Sequence, residues 1–274
     1  MTPAADKSRG DGALLIERPR PEVLRLTIND PERRNPISSA LFGRLRDEVG
    51  SVGTETAAVV ITGAGDQVFT SGADLGELGR GDAEGLGGGF GEAMELAQEA
   101  IEACPAPVIA RIQGHALGAG YQLALACDIR VAVNTARLGV PASRFGLLPG
   151  HVHHARMIQQ LGPQTTRLLM LTGRWFTGEE ALRRRLADLV CPRQELDGVV
   201  DRLLDDIIAG APLTVRNSKR IINTLLSLDA RGAPLDPATE AHLDLLSTEA
   251  HTSDDVREGL TAFFERRPPD FKGR

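Results

Sequence analysis

Two short segments contain small residues where a backbone N–H group could meet a bound carbonyl oxygen. The first is FTSGAD, residues 69–74, in which a Ser-Gly pair follows a predicted strand. In the second, GHALGAGYQLALA at residues 114–126, Gly118, Ala119 and Gly120 stand where a loop becomes a helix. The first turn of a helix carries N–H groups without intrahelical partners and the positive end of the helix dipole. One N–H donor from each segment would form an oxyanion hole that stabilises an enolate.

These glycines also have other interpretations, which the sequence limits. They could serve tight turns and close helix packing alone. The sequence has no GxxxxGK[ST] phosphate loop, and residues 118–123 lack the third glycine of a dinucleotide fingerprint. It has no GxSxG elbow either, so a serine hydrolase is not supported.

The two segments must be positioned by strands and helices that alternate through most of the chain. Alternating apolar and polar residues or short continuous apolar runs predict strands, and apolar residues three or four apart predict helices. The predicted strands cover residues 23–28, 57–62, 108–112 and 129–133, and the predicted helices cover 119–126 and the segments that begin at Ser38 and Glu92. Ser38 is a predicted N-cap, and Thr177-x-x-Glu180 is a predicted capping box.

The character of the chain changes along its length. Residues 1–12 predict a flexible N-terminus, and the glycine-rich stretch 76–91 predicts a mobile loop. Beyond Pro149, helical patterns dominate. We therefore predict an α/β core over residues 13–210 and a C-terminal helical oligomerisation region over residues 211–274.

Composition and charge exclude several classes of protein. The 274 residues are 42% hydrophobic and 25% charged, as in globular proteins. A net charge of −6 and an aromatic content of 4% argue against a nucleic-acid partner. No apolar run reaches the ~20 residues of a membrane span. Three cysteines without CxxC spacing, and a start without an apolar leader, predict a cytoplasmic protein.

Read in order, eight segments of the chain resemble the crotonase (enoyl-CoA hydratase/isomerase) superfamily over nearly its whole length. The segments are PERRNPIS (31–38), VVITGAG (59–65), VFTSGADL (68–75), PVIARIQGHALGAGYQLALACDIRVA (107–132), LGVPASRFGLLPG (138–150), LTGRWFTGEEAL (171–182), ADLV (187–190) and FFERRPPDFKG (263–273). The long central segment is highly specific, and the shared order makes a chance match improbable.

The resemblance implies a crotonase-like spiral of ββα units with a C-terminal α-helical region, assembled as a homotrimer or a dimer of trimers. It implies an acyl-CoA ligand and no cofactor or metal, because coenzyme A is part of the substrate. By motif position, the N–H groups of Ala73 and Ala119 would hold the thioester oxygen as an enolate. Substrate-binding positions carried over in the same way are Ser71, Gly72, Asp74, Leu75, His115, Gly118, Gly120, Pro141, Leu148 and Gly150. Asp74 also fits a turn-stabilising role, and His115 a packing role.

The chain departs from the family at the two positions that handle water. Hydratases of the superfamily carry one glutamate two residues after the last glycine of the central motif and another after the proline of the VPA segment. Here those positions are Gln122 and Ala142. Glutamine can hold a water but cannot take its proton, and alanine can do neither. We therefore expect little ordinary hydration.

A histidine cluster, PGHVHH, offers a substitute for the missing carboxylates. His151 is the candidate base, because some superfamily members place a catalytic aspartate at or beside this position and an imidazole titrates near neutral pH. His153 and His154 belong to the same cluster. A metal site and ordinary helix-entry histidines are the alternatives. Four carboxylates could also swing toward the site, namely Glu77, Asp82, Glu84 and Glu92.

Three functions are compatible with these observations. The chain could be an enzyme that acts on an acyl-CoA thioester through an enolate, by decarboxylation, isomerisation or hydrolysis. It could instead be a non-catalytic acyl-CoA-binding protein that kept the pocket. A purely structural oligomer is the weakest hypothesis, because both oxyanion segments are intact.

Overall fold

The fold, given by a computed structural model that describes residues 13–78, 89–227 and 235–274, is the predicted α/β type. The strands are β1 (Ala13–Arg20), β2 (Val23–Asn29), β3 (Pro36–Ile37), β4 (Ala58–Gly63), β5 (Val68–Thr70), β6 (Gly72–Ala73), β7 (Val108–Ile112), β8 (His115–Leu117), β9 (Ile129–Val133), β10 (Leu138–Gly139), β11 (Trp175–Phe176) and β12 (Leu189–Cys191). The helices are α1 (Ser39–Gly50), α2 (Leu75–Leu78), α3 (Gly89–Ala103), α4 (Ala119–Ala126), α5 (His151–Thr172), α6 (Gly178–Arg183), α7 (Leu196–Ala209), α8 (Pro212–Ser227), α9 (Pro237–His251) and α10 (Asp254–Glu265).

Two predictions fall largely outside this description. The predicted flexible N-terminus, residues 1–12, lies outside the described residues, and so do residues 79–88 of the predicted glycine-rich loop. Asp82 and Glu84 belong to that undescribed stretch.

The described strands form three sheets, of which the smallest is the parallel pair β3-β6, and the two larger ones are built by the same repeating unit. The large sheet has the order β1-β2-β4-β7-β9-β12 and the second sheet the order β11-β10-β8-β5. The pairs β4·β7, β7·β9, β5·β8 and β8·β10 are parallel. Along the chain, one strand of the large sheet is followed by one strand of the second sheet and then by a helix, as in β7–β8–α4 and β9–β10–α5. This is the predicted spiral of ββα units.

The core lies between the large sheet and the helices that cover it. All residues of β4 are buried, as a strand covered on both faces requires. Helix α1 begins where predicted, with the Ser38 hydroxyl accepting a hydrogen bond from the Leu41 N–H at 3.2 Å. Helix α3 begins at Gly89, earlier than predicted, where the Phe90 ring packs edge-on against Phe42 with ring centroids 5.5 Å apart.

The C-terminal part is helical, as predicted, and one predicted cap is absent. Thr177 occupies the N-cap position of α6, but its side chain makes no capping hydrogen bond within the described part of the chain. Glu180 instead accepts a hydrogen bond from Arg184 at 3.1 Å, the i,i+4 arrangement of an exposed helix pair. Over the ranges described, none of the helices has the length and apolar character needed to cross a membrane.

Candidate functional site

The segments 69–74 and 114–126 meet in space, because β6 and the start of α4 approach each other without an intervening side chain. Gly72 has φ +103°, a conformation that favours glycine. A Cβ atom at Gly72 would lie 2.7 Å from the carbonyl oxygen of Leu117 and 3.4 Å from the backbone nitrogen of Ala119. Gly120 packs against the side chain of Thr70, so the helix sits directly on β5.

The N–H of Ala73 points away from the strand that pairs with β6. In the parallel ladder between β3 and β6, Ala73 is the register partner of Ile37. The carbonyl of Ile37 accepts a hydrogen bond from the N–H of Asp74 at 2.8 Å. In such a ladder the residues on either side of Ala73 bond to Ile37, so the amide of Ala73 itself faces the other way.

The N–H of Ala119 lies in the first turn of α4. The first i to i−4 hydrogen bond of this helix runs from the N–H of Gln122 to the carbonyl of Gly118, at 3.1 Å. Ala119 therefore precedes the residues whose N–H groups have intrahelical acceptors. Gly118, the N-cap residue, has φ +56°, and its N–H donates to Gly139 of β10 at 2.9 Å.

Both N–H-bearing residues line one cavity of about 1080 Å³. Most of the predicted site residues line it with them, namely Ser71, Gly72, Leu75, Gly118, Gln122, Pro141, Ala142, Leu148 and Gly150. Four predicted residues are not in its wall, namely Asp74, His115, Gly120 and His151. The structure thus brings together residues that are up to about eighty positions apart in sequence.

The positions of the missing glutamates face this cavity with neutral side chains. Gln122 is only 2% exposed. Its Nε2 donates to the sulfur of Met157 at 3.2 Å, and its Oε1 accepts no hydrogen bond from the described residues. Ala142 opens a short 3-10 turn, Ala142–Phe145, and presents only its methyl group to the cavity.

The histidine cluster is divided by the start of α5. His151 is the first residue of the helix and is exposed. His154 is also turned away from the cavity wall, and its Nδ1 lies 3.0 Å from the carbonyl oxygen of Gly150. His153 is 4% exposed and lines the cavity, and its Nδ1 has no hydrogen-bond partner among the described residues. The histidine that the fold directs into the cavity is therefore His153.

Helix α3 contributes carboxylates to the wall of the cavity. Glu92, Glu95 and Glu99 all line the cavity, at a spacing that places them on one helix face. Glu92 was among the sequence candidates, whereas Glu95 and Glu99 were not. Their signal in the sequence is the three- and four-residue spacing, once the start of α3 is known.

A buried polar network holds α3, α4 and α5 together behind the cavity. The guanidinium of Arg156 donates to both oxygens of Glu102, at 2.5 and 3.1 Å, and to Oε1 of Gln98 at 2.7 Å. Nε2 of Gln98 in turn donates to the carbonyl oxygen of Gln122 at 2.8 Å. Because each of these groups has a partner, the network fixes the three helices relative to one another.

Three of the predicted residues that lie outside the cavity wall have structural partners. The carboxylate of Asp74 accepts a hydrogen bond from Arg33 at 2.7 Å, which lowers the pKa of Asp74. Nδ1 of His115 accepts a hydrogen bond from the N–H of Arg137 at 3.1 Å, and burial lowers the pKa of His115. Glu77 accepts a hydrogen bond from the N–H of Ser39 at 3.0 Å, at the start of α1.

The sequence is similar to those of many known proteins. The family model described as enoyl-CoA hydratase/isomerase matches residues 19–274. A short-chain-enoyl-CoA hydratase from Clostridium acetobutylicum is 32% identical over 256 residues, which cover 92% of this chain and 95% of that protein. A 2,3-dehydroadipyl-CoA hydratase from Escherichia coli is 32% identical over 263 residues, covering 95% and 99%.

Solved structures match the fold across the same length. A crystal structure described as an enoyl-CoA hydratase/carnithine racemase from Magnetospirillum magneticum has a TM-score of 0.86 at 29% identity, covering 95% of this chain and 96% of that one. An enoyl-CoA hydratase from Bacillus anthracis has a TM-score of 0.84 at 29% identity, covering 95% and 99%. The predicted fold class is confirmed by these matches.

Proposed function

The chain belongs to the enoyl-CoA hydratase/isomerase family, the crotonase superfamily, and on that basis we propose that it is an enzyme acting on acyl-CoA thioesters. The thioester oxygen would accept hydrogen bonds from the N–H groups of Ala73 and Ala119, which stabilise the enolate as negative charge develops. The observation that carries this proposal is the close approach of Gly72 to residues 117–119, which brings both N–H-bearing residues to one cavity.

Ordinary hydration is not the reaction that this cavity supports best. A hydratase must take a proton from water and return one to the substrate, and each transfer needs a group that can change protonation state. The amide of Gln122 and the methyl of Ala142, which occupy the two positions where the family's hydratases handle water, cannot do so. The enolate could still form, because its stabilisation depends on backbone N–H groups rather than on these side chains.

The cavity favours proton transfer on an uncharged acyl group over decarboxylation. A substrate for decarboxylation would carry its own carboxylate into the site. Glu92, Glu95 and Glu99 of α3 line the same cavity, and their negative charges oppose the entry of another carboxylate. We therefore propose an isomerase-type reaction, in which a proton is removed from the carbon next to the thioester and returned.

A second candidate, a non-catalytic acyl-CoA-binding protein, is supported by the same two neutral side chains. Gln122 and Ala142 occupy both positions at which the family carries glutamate. The two functions differ in one observable property: an enzyme exchanges the substrate's α-proton with solvent, whereas a carrier binds the thioester without exchange.

Binding of an acyl-CoA should stabilise the folded protein. At 100 times its dissociation constant, a saturated acyl-CoA such as butyryl-CoA is expected to add about 2.7 kcal/mol to the free energy of unfolding. A thermal-shift panel of chain lengths measures the effect, with free coenzyme A as the control for binding through the nucleotide alone. If no acyl-CoA of any length raises the melting temperature, the proposed function is wrong.

The C-terminal helices support the proposal of a homotrimer or a dimer of trimers. Apolar side chains on α8 and α10 are exposed in the single chain, including Ile222, Phe263 and Phe264, the last two at 76% and 78%. Exposed apolar surface of this kind marks an interaction site. Light scattering at micromolar concentration is expected to give three or six times the 29.3 kDa of one chain. A monomer would contradict this proposal, and Phe263→Glu with Phe264→Glu should shift the mass downward.

A further inference from the structure

We propose that His153 is the catalytic base that removes the α-proton of the thioester, with Glu95 as the carboxylate that supports its protonated form. This inference rests on the proposed function, because it assigns a proton carrier to the same cavity. It replaces the missing glutamates with a residue from a different helix.

The position of His153 is set by the contact between α4 and α5. Gln122 lies one helical turn after Ala119, and its Nε2 donates to Met157. Met157 lies one turn after His153 on α5, and side chains four residues apart share a helix face. His153 therefore lies one helical turn from the contact between α5 and Gln122, in the cavity that Ala119 also lines.

His153 is the described group best suited to accept a proton there. Its Nδ1 is buried in the cavity wall without a hydrogen-bond partner among the described residues. No described residue holds the ring at this nitrogen, and because Nδ1 itself is fully buried, another part of the imidazole meets the cavity. The neighbouring charged group, Arg156, is already paired with Glu102. His151 is exposed, and Glu77 bonds to α1.

The charges around His153 fit the role of a base at neutral pH. Burial lowers the pKa of His153, and Arg156, His154 and His151 lower it further, whereas Glu95 raises it. The imidazole is therefore neutral at pH 7 and ready to accept a proton. When it does so, the carboxylate of Glu95 on α3 stabilises the positive charge that forms.

The proposed step balances without any other reactant. The imidazole of His153 takes the proton from the carbon next to the thioester through the part of the ring that meets the cavity, and the electron pair of that C–H bond moves into the thioester. The resulting enolate oxygen is held by the N–H groups of Ala73 and Ala119. Return of the proton from the imidazolium to a conjugated carbon regenerates the base and completes an isomerisation. When the imidazolium first exchanges its proton with water, return of a proton to the same carbon completes an exchange with solvent.

The test is deuterium exchange at the α-carbon of butyryl-CoA in D₂O, followed by mass spectrometry. The unaltered protein should incorporate deuterium, and His153→Gln and His153→Phe should each lower the rate by about 10²–10⁴-fold. Butyryl-CoA should still raise the melting temperature of both variants, which shows that they fold and bind. If either variant folds, binds and exchanges at the unaltered rate, the assignment of His153 is overturned.

A pH profile separates a base from a merely structural histidine. A base acts when deprotonated, so the exchange rate should rise with pH and level off above a midpoint that lies below the usual value for histidine. Glu95→Gln removes the charge that raises the pKa of His153, so the midpoint should move to lower pH. Glu99→Gln, one turn further along the same wall, is the matched comparison and should move it less. A midpoint that does not move with Glu95→Gln contradicts the role of Glu95.

The outcomes distinguish this inference from the proposed function. Exchange that is lost with Ala119→Pro but retained in the His153 variants would overturn the inference and leave the proposed function standing. Loss of exchange with His151→Ala while the His153 variants stay active would do the same. Binding without any exchange by the unaltered protein would overturn both the inference and the enzymatic proposal, in favour of the carrier.

Discussion

Hydration of crotonyl-CoA is expected to rise by about 10²–10⁴-fold when both carboxylates are added, with Gln122→Glu and Ala142→Glu in one chain. Both positions line the cavity. Gln122→Glu keeps the shape of the side chain while adding a group that can take a proton. Ala142→Glu extends into the cavity from the 3-10 turn, on the wall that carries Pro141. The oxyanion hole is already proposed to be in place, so the added groups supply only the missing proton transfers.

The two changes should work together rather than separately. Catalytic groups that act as a unit on one water are not additive, so each single variant is expected to gain far less than the pair. The matched control combines Gln122→Glu with Ser143→Glu, because Ser143 is exposed and lies outside the cavity wall. The rates are measured by loss of the enoyl absorbance. If the unaltered protein already hydrates crotonyl-CoA as fast as the double variant, another group activates water and the prediction is wrong.

Ala119→Pro is expected to lower α-proton exchange on butyryl-CoA by about 10²–10³-fold, the usual effect of losing one oxyanion-hole donor. Proline has no N–H to donate, and its fixed φ suits the first position of a helix, which Ala119 occupies. The variant should therefore fold and lose one hydrogen bond to the enolate. The readout is the same deuterium incorporation, with the melting temperature as the check of folding.

Ala119→Gly is the control for this change, since it keeps the N–H and removes only the methyl group. We expect Ala119→Gly to exchange within a few-fold of the unaltered protein, and Ala119→Pro to fall well below it. Equal rates for Ala119→Pro and the unaltered protein would mean that this N–H takes no part in the reaction.

The elements around the site could be predicted where burial imposes a strong pattern. The bounds predicted for residues 108–112, 119–126 and 129–133 are those of β7, α4 and β9. These segments are almost wholly buried, so most of their residues are apolar or small and the sequence pattern marks their bounds clearly. The N-cap at Ser38 was also predicted correctly, because capping depends on a local contact. The serine hydroxyl accepts a hydrogen bond from an N–H group in the first turn of the helix that follows it.

Local patterns were less informative where a side chain had a choice of partner. The capping box at Thr177 has the required residue types, yet Glu180 bonds to Arg184 instead. The choice depends on a residue one turn further along an exposed helix, which the capping motif does not include.

Prediction of the catalytic base from the sequence had the same limitation. The resemblance of the sequence to the crotonase superfamily pointed to His151, whereas the fold directs His153 into the cavity. A signal for this was present in the sequence: residues 153, 157 and 161 are four apart, and Met157 and Leu161 are apolar. Extending that stripe backwards places position 153 on the buried face of α5. Contacts between helices, such as the network from Arg156 to Gln122, have no comparable signal in a single sequence.

The most direct test of the central claim is a crystal structure of the protein with bound butyryl-CoA, in which two distances are measured. We predict that the thioester oxygen lies within about 2.7–3.1 Å of the backbone nitrogens of both Ala73 and Ala119, with the acyl chain in the cavity that these residues line. A thioester oxygen beyond hydrogen-bond distance of either nitrogen, or a ligand bound outside this cavity, would contradict the account.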